Sequence, residues 1–125
     1  MKKILVIDDD PQFTDLISLQ LEKEGFAVDC LHLVDHLDSY IQKTAYDLII
    51  LDVFLPDKQT GLNTLVNLKR NIFTKHTPII LATSQPTELF IQEENVDEYL
   101  RYAKALISKL DEHSKIISQV KEILG

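Results

Sequence analysis

The sequence predicts an α/β fold: one domain spanning residues 1–125, with a doubly wound parallel sheet of five strands alternating with five helices. Three observations lead there. Four short runs, Ile4–Ile7, Leu48–Leu51, Pro78–Ala82 and Ala105–Ser108, are almost wholly apolar, as strands buried on both faces of a parallel sheet are. Between the strands lie segments whose apolar residues recur at helical spacing. Each run also empties into a polar side chain, at the strand end where open α/β sheets bind ligands.

The first run leads straight into Asp8, Asp9 and Asp10. Pro11 at a first helical position, with Asp10 before it as N-cap, opens a helix whose inward stripe is Phe13, Leu16, Ile17 and Leu21, closed by Gly25. Phe26–Leu31 reads as a second strand, and a helix with Leu37, Tyr40 and Ile41 inward follows it. Tyr46–Pro56 is the central stretch: an apolar strand that delivers Asp52 and then turns at Pro56. A loop from Pro56 to Gly61 leads to a helix carrying Leu62, Leu65, Val66 and Leu68.

Pro78–Ala82 ends in Thr83 and Ser84, so a hydroxyl arrives at the same edge as the carboxylates. From Pro86 to about Lys104 runs one long amphipathic segment, with Thr87 as its cap and Leu89, Phe90, Val96, Tyr99 and Leu100 as its apolar positions. Ala105–Ser108 delivers Lys109, and Asp111 caps a final helix carrying Ile116, Ile117, Val120, Ile123 and Leu124. Right-handed βα alternation suits the flavodoxin-like strand order 2-1-3-4-5, in which the first, third and fourth strands are neighbours. Asp8, Asp9, Asp52 and Thr83 would then line one crevice.

Composition narrows the function classes. A 45% hydrophobic and 26% charged chain can bury a core, and no apolar stretch is long enough to cross a bilayer. The start, MKKILVIDDD, turns acidic too soon for a signal peptide, and a single cysteine, Cys30, suits a reducing compartment and a core-filling role. The expected location is cytoplasmic. A net charge of −7, with 20 acidic against 13 basic side chains and no basic run along the chain, argues against direct nucleic-acid binding. His32 and His36 have the spacing of a metal-binding helix face but no third ligand nearby in sequence, and are expected at the surface.

Converging carboxylates repel one another unless a cation neutralises them. A few oxygen ligands with room for waters suit Mg²⁺. Four polar groups of complementary type at four strand ends therefore read as an active site rather than as a set of helix caps.

Taken together, ILVIDDDP, LIILDVFLP, TPIILATS and ALISK resemble the acidic start, phosphoacceptor strand, hydroxyl strand and lysine strand of the receiver domains of two-component response regulators. The resemblance implies that Asp52 is the phosphoacceptor, with Mg²⁺ held by Asp9, by Asp8 through water, by Asp52 and by the backbone carbonyl of Phe54. It implies that Thr83 and Lys109 contact phosphoryl oxygens, and that the domain catalyses its own phosphorylation and dephosphorylation without being a conventional turnover enzyme. The implied partners are a histidine kinase or histidine phosphotransfer protein, a downstream protein or output domain, and a second copy on phosphorylation, with neither nucleic acid nor membrane contacted directly.

The chain departs from the family pattern in four places. One extra residue precedes Gly61, about four lie between Thr83 and Lys109, Leu106 replaces the usual Tyr or Phe, and Leu110 replaces proline. Aligning EYLRYAK to the lysine strand instead would put Tyr102 where lysine belongs, with Lys104 as the fallback, but would leave ALISK unexplained. Two other readings compete. Asp8-x-Asp10 also resembles the start of a haloacid-dehalogenase-type phosphatase, though Pro11 and the missing late acidic pair count against it. A receiver-like binding module that works without phosphorylation would have lost an acid or the lysine, and here both are present.

Overall fold

The computed structural model describes residues 1–54, 58–94 and 96–125. Five strands, β1 (Lys3–Ile7), β2 (Ala27–Leu31), β3 (Leu48–Asp52), β4 (Ile79–Thr83) and β5 (Ala105–Ser108), form one sheet. All pairings are parallel, in the order β2-β1-β3-β4-β5, as the sequence predicts. Every residue of β3 and β4 is buried, which is why these segments read as continuous apolar runs.

The helices are α1 (Pro11–Lys23), α2 (Leu37–Lys43), α3 (Lys58–Arg70), α4 (Thr87–Phe90), α5 (Val96–Tyr102) and α6 (His113–Leu124), with a 3₁₀ turn at Val34–His36 before α2. One apolar layer joins the sheet to α1 and α6 through Ile17, Leu21, Ile116 and Val120. The opposite layer joins it to α2, α3, α4 and α5 through Ile41, Leu65, Phe90 and Tyr99. No described helix is long and apolar enough to cross a membrane.

Several sequence expectations need correction. The long Pro86–Lys104 segment is two helices, which raises the helix count from five to six. Phe90 and Tyr99 are both fully buried and meet edge to face, with ring centroids 5.5 Å apart. Nine residues of straight helix turn through about two and a half revolutions, which would put these rings on opposite faces. The break between α4 and α5 brings both inward. Leu16, Leu89 and Leu100, read as inward, are exposed.

Thr87 does not cap α4: Pro86 occupies the cap and offers no side-chain acceptor. Asp111 does not cap α6, whose N-cap is Glu112; its carboxylate instead accepts from the Ser108 N–H at 3.4 Å and pairs with Lys115 at 3.8 Å. Gly61 lies inside α3 rather than closing a loop. A β-carbon there would collide with the backbone carbonyl of Val53, so glycine lets α3 sit directly on the chain leaving β3. The turn at Pro56 falls outside the described residues. His32 and His36 are exposed, and His32 Nε2 lies 3.0 Å from Thr14 Oγ1. Cys30 is half-buried, with Sγ 2.9 Å from Ser18 Oγ, and burial pushes its thiol up.

Candidate functional site

Register decides which strand ends meet. Ile7 pairs with Leu51 between β1 and β3, Asp52 with Ala82 between β3 and β4, and Thr83 with Ser108 between β4 and β5. Asp8, Asp52, Thr83 and Lys109 therefore leave the sheet at one edge, within two residues of the same level.

Asp8 is almost fully buried, and its backbone stays tied to the sheet through its N–H, which donates to the Leu31 carbonyl at 3.0 Å. Its Oδ1 accepts from the Asp10 N–H at 2.9 Å. Asp9 is exposed. Asp10 turns away from the cluster, because its Oδ1 accepts the Gln12 N–H at 3.0 Å as the cap of α1. That use leaves no Asp8-x-Asp10 pair in the cleft, which removes the basis of the phosphatase-like reading.

Asp52 is buried at the end of β3, where Oδ1 accepts the Phe54 N–H at 3.1 Å and Oδ2 accepts Lys109 Nζ at 3.2 Å. Phe54 lies in the turn that follows β3. Thr83 is fully buried; its Oγ1 accepts the Gln85 N–H at 3.1 Å, and its carbonyl accepts the Lys109 N–H at 2.8 Å. The hydroxyl proton remains available to a ligand. Ser84 is exposed.

Lys109 bridges the two buried acids: Nζ lies 2.6 Å from Asp8 Oδ2 and 3.2 Å from Asp52 Oδ2. Lys104, the alternative lysine, lies at the opposite end of β5, where its N–H donates to the Ile79 carbonyl at 2.8 Å. Sequence reasoning missed what supports Lys109. Phe13 was counted only as core, yet the ammonium stands over its ring, 5.1 Å from the centroid. Ser108 is buried and accepts the Leu110 N–H at 3.1 Å through Oγ, fixing the chain just past the lysine. No local signal marks either, since the Phe13–Lys109 contact joins the first helix to the last strand.

Electrostatics follow from this geometry. Burial raises the Asp8 carboxyl to about 6; Lys109 and the Asp10 N–H pull it down, and the neighbouring Asp52 adds to the rise. Burial by itself would lower the Lys109 ammonium, but its contact with Asp8 and the charges of Asp52 and Asp8 outweigh that and leave it raised.

Among the described residues Asp8, Asp9 and Asp52 each offer a carboxylate oxygen within 4.8 Å of the others. Asp8 Oδ2 is buried and has the Lys109 ion pair but no hydrogen bond of good geometry. An all-oxygen donor set of this kind fits a hard divalent cation such as Mg²⁺, which would compete with Lys109 for Asp8 Oδ2.

The model of the response regulator receiver domain matches residues 4–121. Transcriptional regulatory protein CpxR of Escherichia coli is 39% identical over 107 residues, covering 80% of this chain and 42% of that protein. The DNA-binding dual master transcriptional regulator RpaA of Synechocystis sp. is 30% identical, covering 95% of this chain and 57% of that protein. The chain thus spans about half the length of these relatives. Among solved structures, response regulator protein TrrA from Thermotoga maritima, in complex with Mg²⁺-BeF, superposes with a TM-score of 0.80 at 26% identity, covering 98% of this chain and 99% of that one.

Proposed function

The chain belongs to the response regulator receiver domain family of two-component signalling, and from that premise we propose that it accepts a phosphoryl group on Asp52 in a Mg²⁺-dependent reaction. The donor is a histidine kinase or histidine phosphotransfer protein. The product state is read by a downstream protein or output domain, or by a second copy, and this domain itself touches neither nucleic acid nor membrane. A cytoplasmic location is consistent with such partners.

The observation that carries the proposal is the bridging position of Lys109, with Nζ 2.6 Å from Asp8 and 3.2 Å from Asp52. A carboxylate oxygen of Asp52 attacks phosphorus, the phosphorus–imidazole nitrogen bond of the donor breaks, and the released imidazole takes a proton from solvent. Asp52 becomes a mixed anhydride. Asp8, Asp9, Asp52 and the Phe54 carbonyl would hold Mg²⁺, which when bound supplies charge neutralisation for the incoming phosphoryl oxygens.

The protein's own groups do the positioning. Lys109 is already held at Asp52 by the Phe13 ring and the Ser108 turn, so its ammonium needs only a small shift from the carboxylate to a phosphoryl oxygen. Thr83 can turn its hydroxyl proton to a second oxygen while keeping the Gln85 N–H as donor to itself. Fixed donors of this kind stabilise developing charge without reorganisation. Treating the protein with acetyl phosphate and Mg²⁺, reducing the acyl phosphate with borohydride and mapping the modified peptide tests the assignment. Modification at Asp52 supports it, and modification at Asp8, Asp9 or elsewhere refutes it.

A further inference from the structure

At the sheet edge opposite the acidic cluster, a groove of about 510 Å³ is rimmed by Lys69, Lys75, His76, Arg101 and Lys104 over an apolar floor that includes Ile79 and Ile123. Among the described residues no carboxylate lines it. That is unexpected in a chain with 20 acidic and 13 basic side chains. The sequence hides the cluster because its members come from the end of α3, the segment before β4, the end of α5 and the segment before β5. Neither the three lysines nor the arginine of the rim belongs to an ion pair among the described residues, whereas Lys3, Lys109, Lys115 and Lys121 all do.

Helix dipoles explain part of the rim. Lys69 lies in the last turn of α3 and Arg101 in that of α5, where a cation faces the carbonyl ends. Lys75 and Lys104 lie beyond the helices and have no such reason to be there. Hydrogen bonds fix the backbone that carries the rim, while the Lys75, His76, Arg101 and Lys104 side chains are exposed to solvent. Lys69 Nζ donates to the Thr77 carbonyl at 2.8 Å, and the Lys104 N–H donates to the Ile79 carbonyl at 2.8 Å. The Lys75 N–H donates to the Asn71 carbonyl at 2.8 Å, and buried Thr74 fixes the same segment through Oγ1 to the Leu68 carbonyl at 2.6 Å.

We propose that this groove binds a small anion carrying two or more phosphate groups. Several cations converge on one volume, and the Arg101 guanidinium adds a planar fork suited to phosphate oxygens. The volume lies within the range of about 300–1,000 Å³ typical of small-molecule sites. Thr83 is four residues along β4 from Ile79, so the groove sits about 13 Å from the acidic site along the strand. At that distance the repulsion from the carboxylates is weak, and Lys109 offsets part of their charge. This binding does not depend on phosphorylation of Asp52.

The test is a titration of the whole chain with inorganic pyrophosphate in EDTA, which keeps divalent cations from drawing the anion to the acidic site, read by amide chemical shifts. Saturable shifts at Lys75, His76, Ile79 and Lys104, weakening steeply with added salt, are expected. The double variant Lys75→Glu/Lys104→Glu should bind at least tenfold more weakly while its remaining amide spectrum stays that of the folded wild type. Shifts that never saturate, unchanged affinity in the double variant, or saturation by hexaglutamate but not by pyrophosphate would each overturn the proposal.

Discussion

The Lys109 ammonium approaches Asp8 more closely, at 2.6 Å, than Asp52, at 3.2 Å. The lysine therefore acts as the site's internal counter-ion, standing where a bound cation and an incoming phosphoryl group will compete for the same oxygens. Replacing it by alanine should tighten Mg²⁺ binding several-fold, by removing one positive charge, while abolishing most phosphorylation-dependent change. Lys104→Ala should match wild type in both. Calorimetric Mg²⁺ titration and beryllofluoride-induced amide shifts check this, and the reverse pattern would move the functional lysine to residue 104.

The raised Asp8 carboxyl makes a signed pH prediction. Its folded value is about 6 against an ordinary 3.8, so between those values the native state holds a proton that the unfolded chain has lost. Without metal, stability should fall as pH rises through that window, by about 3 kcal/mol. Mg²⁺ needs the ionised form, so its apparent affinity should weaken as pH drops below about 6. Thermal unfolding at pH 5 and pH 7.5, with and without Mg²⁺, reads both signs. Greater metal-free stability at pH 7.5 would contradict the first.

Gly61→Ala separates packing from helix propensity. In a free helix the change stabilises by about 1 kcal/mol. Here the new methyl meets the Val53 carbonyl, so α3 must lift from the chain just past Asp52. A net loss of roughly 1–3 kcal/mol is expected, with slower phosphorylation. Urea unfolding and an acetyl phosphate time course measure the two effects, and a more stable variant would show that the contact is easily relaxed.

Output should travel through the segment after Thr83. Leu106 is half-buried beside the cluster that holds Phe90 and Tyr99, and it is smaller than the aromatic the family usually carries there. With α4 only four residues long, residues 84 to 94 form the more yielding wall. Amide exchange with and without beryllofluoride should change most at those residues. Changes confined to β5 would place the signal elsewhere.

The sheet was legible because β1, β3 and β4 are buried on both faces and so spell themselves as apolar runs, β5 is apolar although part-exposed at its start, and the strand ends named the acids, the hydroxyl and the lysine in turn. The α4–α5 break was less legible, since both helices continue one amphipathic pattern and only the opposed phase of Phe90 and Tyr99 betrays the kink. Gly61 read as a turn residue because glycine in sequence does not distinguish a turn from a close helix–strand contact. Phe13 beneath Lys109 and the cation-rimmed groove arise from long-range register, which no local window contains.

Intact-mass measurement of wild type and Asp52→Asn after incubation with acetyl phosphate, with Mg²⁺ and again with EDTA, bears most directly on the central claim. Wild type should gain the mass of one phosphoryl group only with Mg²⁺, and Asp52→Asn should gain none. Equal labelling of the two proteins, or equal labelling of wild type in EDTA, would contradict it.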